Sequence, residues 1–363
     1  MTGTEYSQQT FKHLLNKLVQ TPEYFSPNDL KLALNHLFTP DVVYPAQIGA
    51  FLTALHINRV ERRPDSLAAA ASVLRERALK ADVLDRDGDF IVDIVGTGGD
   101  GYNLFNVSTT AAIVAAGAGA RVVKHGSRAS TSSSGSADLL ESLDCLFTAP
   151  TPGTITPIPK IPFTFILAPH YHPSLAALVP FRKSLPFRTM FNVLGPLINP
   201  ALPDGMVLGV AEREIGATFA HSLSEGGVKR ALVVCGCENL DEISCAGPTW
   251  AWELKDGKVT ETTLTPELFG LPAHPLTAVA GGGPGENAET FKTLLTSGQN
   301  LPEKLIPILD FVCMNASALL VVSGLAKGYV EGVRLARESV LNGKAWQALE
   351  TFRDTGRSGV LAA

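Results

Sequence analysis

Residues 90–117 read FIVDIVGTGGDGYNLFNVSTTAAIVAAG. The apolar run 90–95 is a strand candidate. It ends at Gly96-Thr97-Gly98-Gly99-Asp100-Gly101, and Asn106-Val107-Ser108-Thr109 then opens an alanine-rich helix over 108–116. A strand, a glycine loop and a helix in succession form the repeating unit of a mostly parallel sheet flanked by helices. The alternation continues downstream. Strands are expected at 121–124, 163–167, 206–211 and 230–234, with helices at 137–143, 173–182 and 215–224. A peripheral hairpin is expected over 249–264 around Lys255-Asp256-Gly257, and the tail from Glu286 reads as helical.

Upstream of this unit the pattern is different. Phe11, Leu14, Leu15 and Leu18 fall on one helical stripe, and Ser26-Pro27 supplies a cap with proline at the first helical position. A third helix is expected at 46–57 after Pro45, and a fourth at 67–79 behind a Ser66 cap. No β-branched strand run interrupts these residues. The expectation is an α/β protein with a small N-terminal helical domain, 1–88, and a larger domain, 89–363, built on the mostly parallel sheet.

Composition narrows the function classes. The 363 residues carry 30 Lys and Arg against 35 Asp and Glu, a net charge of −5, which argues against nucleic-acid binding driven by net charge. Hydrophobic residues make up 45% and charged residues 18%, so the chain is not intrinsically disordered. Five cysteines cannot all pair, and Cys235-x-Cys237 has the wrong spacing for a zinc knuckle or a redox pair. The N-terminus lacks an apolar leader, and the apolar stretch 311–326 is short and contains Asn315 and Ser317. The expectation is a cytoplasmic protein with no membrane or nucleic-acid partner.

In an open parallel sheet, ligands bind beyond the carboxyl ends of the strands. Four post-strand loops carry unusual residues. The glycines of 96–101 let a backbone approach an anion with its N–H groups pointed at it, and the following helix N-terminus favours phosphate. No Gly-Lys-Ser/Thr follows, and the glycine spacing is not that of a dinucleotide site. The second loop, 124–136, carries Lys124, His125 and Arg128 around a run of serines, donors suited to a phosphate and a sugar. The third contains His170 and His172, read as a pocket wall because no further ligand lies close enough to suggest metal. Downstream of it, Arg182 and Arg188 are guanidiniums able to pair with a carboxylate. The fourth contains Asp241-Glu242, a pair suited to sharing Mg2+ with phosphate oxygens. A further glycine run, Gly281-Gly282-Gly283-Pro284-Gly285, has no strand before it and reads as a structural turn.

GTGGD, NVST, KHGSR through SSGSAD, HPS, RTMFNVLGPL and DEIS, in this order, resemble the anthranilate phosphoribosyltransferases over nearly the whole chain. The resemblance implies transfer of phosphoribose from phosphoribosyl pyrophosphate (PRPP) to anthranilate in tryptophan biosynthesis, with Mg2+. It also implies a homodimer formed through the helical domain, helices near 180–200 that return to that domain, and a site at the hinge. By the same resemblance PRPP contacts fall on Gly96, Gly99, Asp100, Asn106, Val107, Ser108, Thr109, Lys124, Ser130, Ser132 and Ser136. Anthranilate contacts fall on Gly96, Ser127, His172 and Arg182, and the metal on Ser108, Asp241 and Glu242. Ser127 stands where the family usually has asparagine, and Leu104 where a hydroxyl residue is frequent. No general base is assigned. Two alternatives stand beside this reading. A pyrimidine nucleoside phosphorylase shares the KHG…SSGSAD region but needs no Asp-Glu pair. A non-catalytic phosphate-ligand sensor would be expected to lack the metal residues.

Overall fold

The computed structural model describes residues 6–129 and 132–358. Four helices come first: α1 (Gln8–Gln20), α2 (Pro27–Leu37), α3 (Pro45–Ile57) and α4 (Pro64–Arg77). Ser26 caps α2 with a reciprocal Asp29 bond and Pro27 at its first turn, as the sequence predicts. Ser66 is not a cap. It lies buried within the first turn of α4, which starts at Pro64 because proline's missing N–H is an orphan there in any case. Phe11, Leu14 and Leu18 meet Leu34, Phe51 and Leu74 in the bundle's apolar centre.

The chain then leaves helix sooner than the pattern suggests. β1 (Ala81–Val83) pairs in parallel with β4 (Thr156–Ile158) as a separate two-stranded ribbon. Three residues are too few to show a period, so this strand is visible only through its distant partner.

Among the described residues the main sheet has seven strands. In chain order the elements are β2 (Ile91–Gly96), α5 (Val107–Gly117), β3 (Arg121–Gly126), α6 (Ser136–Ser142), β4, β5 (Phe163–Leu167), α7 (Ala168–Tyr171), α8 (Val179–Ser184), β6 (Gly205–Gly209), α9 (Gly216–Glu225) and β7 (Arg230–Gly236). β8 (Thr249–Lys255), β9 (Lys258–Leu264), α10 (Pro284–Thr296), α11 (Ile306–Ser323), α12 (Tyr329–Leu341) and α13 (Lys344–Arg357) complete them. The spatial order is β5-β3-β2-β6-β7-β8-β9, parallel up to β7. The expected hairpin β8–β9 forms at the edge of the sheet, and β8 joins it antiparallel to β7 along its whole length. The expected helix 173–182 is a 3-10 turn, Pro173–Leu178, followed by α8, and the strand expected to reach Ala211 stops at Gly209.

Both faces of the parallel strands are covered, which is why they read as continuous apolar runs. Val207, Leu232 and Val234 face α5, α11 and their neighbours. Met206, Leu208, Ala231 and Val233 face the opposite layer, which is continuous with the helical bundle and with Leu178, Met190, Phe191 and Leu194. Helix α11 is apolar and long enough to cross a membrane by length and composition, yet it is a core helix, with Phe311, Cys313, Asn315 and Leu319 all fully enclosed.

The register aligns the strand ends. Gly96 pairs with Gly209, and Gly126 with Leu167. The chain runs from β2 outward through β3 to β5, then returns to β6 on the other side of β2. The connections therefore diverge between β2 and β6, the position where such sheets hold ligands.

Candidate active site

At the end of β2 the backbone turns through Gly98, Gly99 and Gly101, with φ of +69°, +84° and +82°. Side chains rarely adopt these angles, so this path requires glycine. Thr97 N continues the sheet by donating to Gly209 O at 2.9 Å. The Gly98 amide donates to Asp241 Oδ2 at 2.6 Å, which ties the first loop to the fourth. Gly96 and Gly209, side by side at the switch point, make room for Asp241: a Cβ on either would collide with it.

Asp241 is nearly enclosed and touches Asp100. Burial, then the Asp100 charge, raise its pKa to about 7. Glu242 is pushed well above the usual carboxylate range by burial and by Asp241. Lys124, at 1% exposure, donates to Ile94 O and to Ser108 Oγ at 3.5 Å, and its positive charge partly offsets the upward shift of Glu242. Three carboxyls crowded beside one lysine form a surplus of negative charge that a divalent cation would relieve. Among the described residues no three His, Cys, Asp or Glu side chains form a ready metal cage. The donor set fits an ion that draws its remaining ligands from phosphate oxygens and water. Asn315 on α11 holds this acidic loop by two bonds to the Ile243 backbone, at 3.2 and 3.3 Å.

The serine loop lies against the first. Asn106 Nδ2 donates to Ser134 O at 2.8 Å, and Ser133 N to Asn103 Oδ1 at 3.0 Å. Asn287, at the start of α10, donates to Asn106 Oδ1 at 2.8 Å and so braces the site, while the Gly282 and Gly283 amides before it donate to Asn287 and Glu286 within the turn itself. Ser132 donates to Ser134 O, and Ser136 opens α6 beside Gly126. Ser127 is exposed and its carbonyl accepts from Ala137 N. The Val107 amide is already used by Phe105 O, and Thr109 Oγ1 is buried with no protein partner. Ser130 lies outside the described residues. Arg128 does not frame the cradle: it is half exposed and paired with Glu141, 13 residues further on in α6.

His172 follows α7 and meets His125 edge to face at 5.2 Å between ring centres. Burial lowers His125 to about 3 and His172 to about 4. Both rings are neutral in the fold near pH 7. Unfolding restores the ordinary His172 pKa of 6.5. Its contribution to stability is therefore complete above pH 6.5 and is lost as pH falls toward 4. Between pH 7 and pH 5 this loss amounts to about 2 kcal/mol. The stability advantage of the native protein over His172→Gln shrinks by that amount over this range. Urea unfolding at the two pH values measures it, and a constant difference contradicts it.

Arg182 lies on α8. Its Nε is buried without a partner, and no carboxylate pairs with it among the described residues. Burial, then the Arg188 charge, lower its pKa, so the group is one that an anion would stabilise. Arg188 reaches the glycine loop, donating to Gly98 O at 2.7 Å and Thr97 O at 3.1 Å. The sequence singled out neither the link from Arg188 to the loop nor the bracing by Asn287 and Asn315. The only local sign was an asparagine within an apolar helix.

Residues 88–346 match the glycosyl transferase family a/b domain, and residues 12–78 its helical bundle domain. The chain is 45% identical over 309 residues to an anthranilate phosphoribosyltransferase of Schizosaccharomyces pombe, covering 85% of this chain and 86% of that one. The Saccharomyces cerevisiae anthranilate phosphoribosyltransferase in complex with PRPP and Mg superposes with a TM-score of 0.86 at 33% identity, covering 98% of this chain and 100% of that one. The same yeast enzyme in complex with 4-fluoroanthranilate gives 0.84 at 32% identity, again covering 98% and 100%.

Proposed function

This chain belongs to the anthranilate phosphoribosyltransferase family, and from that premise we propose how its residues divide the work. It is a pentosyltransferase that moves phosphoribose from PRPP to the amine of anthranilate and releases pyrophosphate, in tryptophan biosynthesis. The observation that carries the residue assignment is the convergence of the glycine loop, Lys124 and the Asp241-Glu242 loop on the β2/β6 switch point.

The leaving pyrophosphate lies against the loop of Gly96, Gly99 and Asp100 and the start of α5, with Asn106, Val107, Ser108 and Thr109. Lys124, Ser132 and Ser136 face the phosphoribosyl part; Ser130, assigned to it by the family resemblance, lies outside the described residues. Ser108, Asp241 and Glu242 would hold Mg2+, which when bound draws negative charge from the leaving group. The oriented amides of the loop act on the same charge. Anthranilate lies between Gly96, Ser127, His172 and Arg182, its carboxylate toward Arg182. Its aromatic amine is weakly basic and attacks without prior deprotonation, so no residue is assigned as general base and positioning supplies much of the remaining rate. The yeast complexes named for PRPP with Mg and for 4-fluoroanthranilate support the donor, metal and acceptor assignments.

The division into 1–88 and 89–363, with 180–200 returning to the bundle, belongs to the same proposal. It is supported by the apolar cluster shared by Phe51, Leu178, Phe191 and Leu197. So do homodimerisation through the helical part and a cytoplasmic location. The test is the decay of anthranilate fluorescence on mixing with PRPP and Mg2+. Decay that requires all three components is expected, and no decay refutes the reading.

A further inference from the structure

The segment that follows α8 connects two parts of the molecule. On one side it is fastened to the helical bundle. Met190 N donates to Glu61 Oε2 at 2.8 Å, Glu61 Oε1 meets His56 Nδ1 at 2.7 Å, and the His56 ring stacks on Phe187 at 4.3 Å. Thr189 is pinned by its N–H and hydroxyl to Asn192 Oδ1 at 3.0 and 3.1 Å. On the other side, the Arg188 fork donates to the carbonyls of Thr97 and Gly98 at 3.1 and 2.7 Å.

Those two carbonyls decide where two amides point. Across a trans peptide the C=O and the next N–H point in opposite directions. With Thr97 O held by Arg188, the Gly98 N–H points away from it, toward Asp241 Oδ2. With Gly98 O held, the Gly99 N–H is likewise turned away from Arg188, and among the described residues it donates to no protein acceptor. Glycine at 98 and 99 leaves these peptide planes free to flip, because both signs of φ are open to it. The loop therefore needs an external clamp to keep its amides aimed. At Gly99 a Cβ would collide with the Arg188 guanidinium, so the clamp and the missing side chain occupy one space.

We infer that Arg188 is a positioning residue for the donor substrate: it sets the peptide planes of Thr97 and Gly98 so that the Gly98 amide stays on Asp241 and the Gly99 amide faces the pyrophosphate of PRPP. Because its segment is fastened to Glu61 and His56, the clamp also ties the loop to the helical bundle. The inference rests on the reading of 96–101 as the pyrophosphate cradle.

Steady-state kinetics with Mg2+ test it on the native protein, Arg188→Gln, Arg188→Lys, Gly99→Ala and the Gly99→Ala/Arg188→Gln pair. Loss of a charge-assisted bond corresponds to about ten- to a hundredfold. The KM for PRPP is expected to rise by that factor in Arg188→Gln and in Gly99→Ala, with the anthranilate KM moving about threefold or less. Arg188→Lys falls between native and Gln, since one ammonium cannot reproduce a planar fork. The pair is expected to be no worse than the worse single variant, because each change breaks the same clamp. Multiplying effects, an equal rise in both KM values, or an unchanged PRPP KM overturns the inference. If Arg188→Gln does not fold, the cycle is run with Arg188→Lys. A native protein that does not consume PRPP refutes the cradle reading, whereas an active native protein with unaltered variants refutes only the role of Arg188.

Discussion

Replacing Asp241 and Glu242 together with alanine is expected to lower turnover by about a hundredfold or more at saturating PRPP and anthranilate. Asp241 is enclosed between Gly96 and Gly209, with Asp100 against it and the Gly98 amide on its carboxylate. Burial, and then the neighbouring carboxyls, disfavour the ionised forms of Asp241 and Glu242 and raise their pKa values, which opposes folding with both charged. A purely structural pair would more readily be separated or neutralised. Their charge has a use when a cation and a polyphosphate are bound. The native protein assayed in EDTA should fall toward the level of the double variant, and EDTA should not lower the double variant further. A double variant that keeps full activity, with or without EDTA, removes these two residues from the metal assignment.

The second large effect is expected at Arg182. Its guanidinium is partly buried, has no carboxylate partner among the described residues, and lies close enough to Arg188 for the two charges to repel. A planar fork matches a carboxylate with two parallel hydrogen bonds. Arg182→Ala should raise the anthranilate KM about tenfold to a hundredfold, from a charge-assisted bond of roughly 1.5–3 kcal/mol. Arg182→Lys should recover part of this, and the PRPP KM should barely move. A structural salt bridge would predict a lower melting temperature and equal damage to both substrates. A folded Arg182→Ala protein with an unchanged anthranilate KM would show that the acceptor carboxylate is held elsewhere.

Together the variants separate the two ends of the site. The acid pair acts on turnover, Arg188 on the donor KM, and Arg182 on the acceptor KM. The two arginines are six positions apart, and both ends of this stretch touch the bundle: Phe187, between them, stacks on His56, and Met190, just beyond Arg188, donates to Glu61. A displacement of the bundle would therefore reach both substrates.

Much of the architecture was legible in local sequence. Phe163–Leu167 appears at its expected bounds, and β2, β3, β7 and α5 within two residues of theirs, because apolar runs bounded by glycine or proline are read from adjacent residues alone. The four loops at the strand ends and their chemistry were legible for the same reason. What was missed or misread depended on partners far away in sequence. β1 is a strand only because residues 156–158 lie beside it, and β8 joins the sheet only because β7 offers a free edge. Arg128 looked like a phosphate ligand until Glu141 was seen to hold it.

By itself, the sequence determined which residues carry charge, hydroxyls and glycine, and the order of strands and helices that brings them to strand ends. Those properties follow from side-chain chemistry and short-range periodicity. Tertiary structure alone decided which of those strand ends are neighbours. The crossing at β2 and β6 places Asp241, 143 residues away, on the Gly98 amide, and lets Arg188, 90 residues away, hold the Gly98 carbonyl. Bonds across such separations have no local signature, because the loop-closure entropy they require is met by the packing of the whole sheet rather than by the residues that make them.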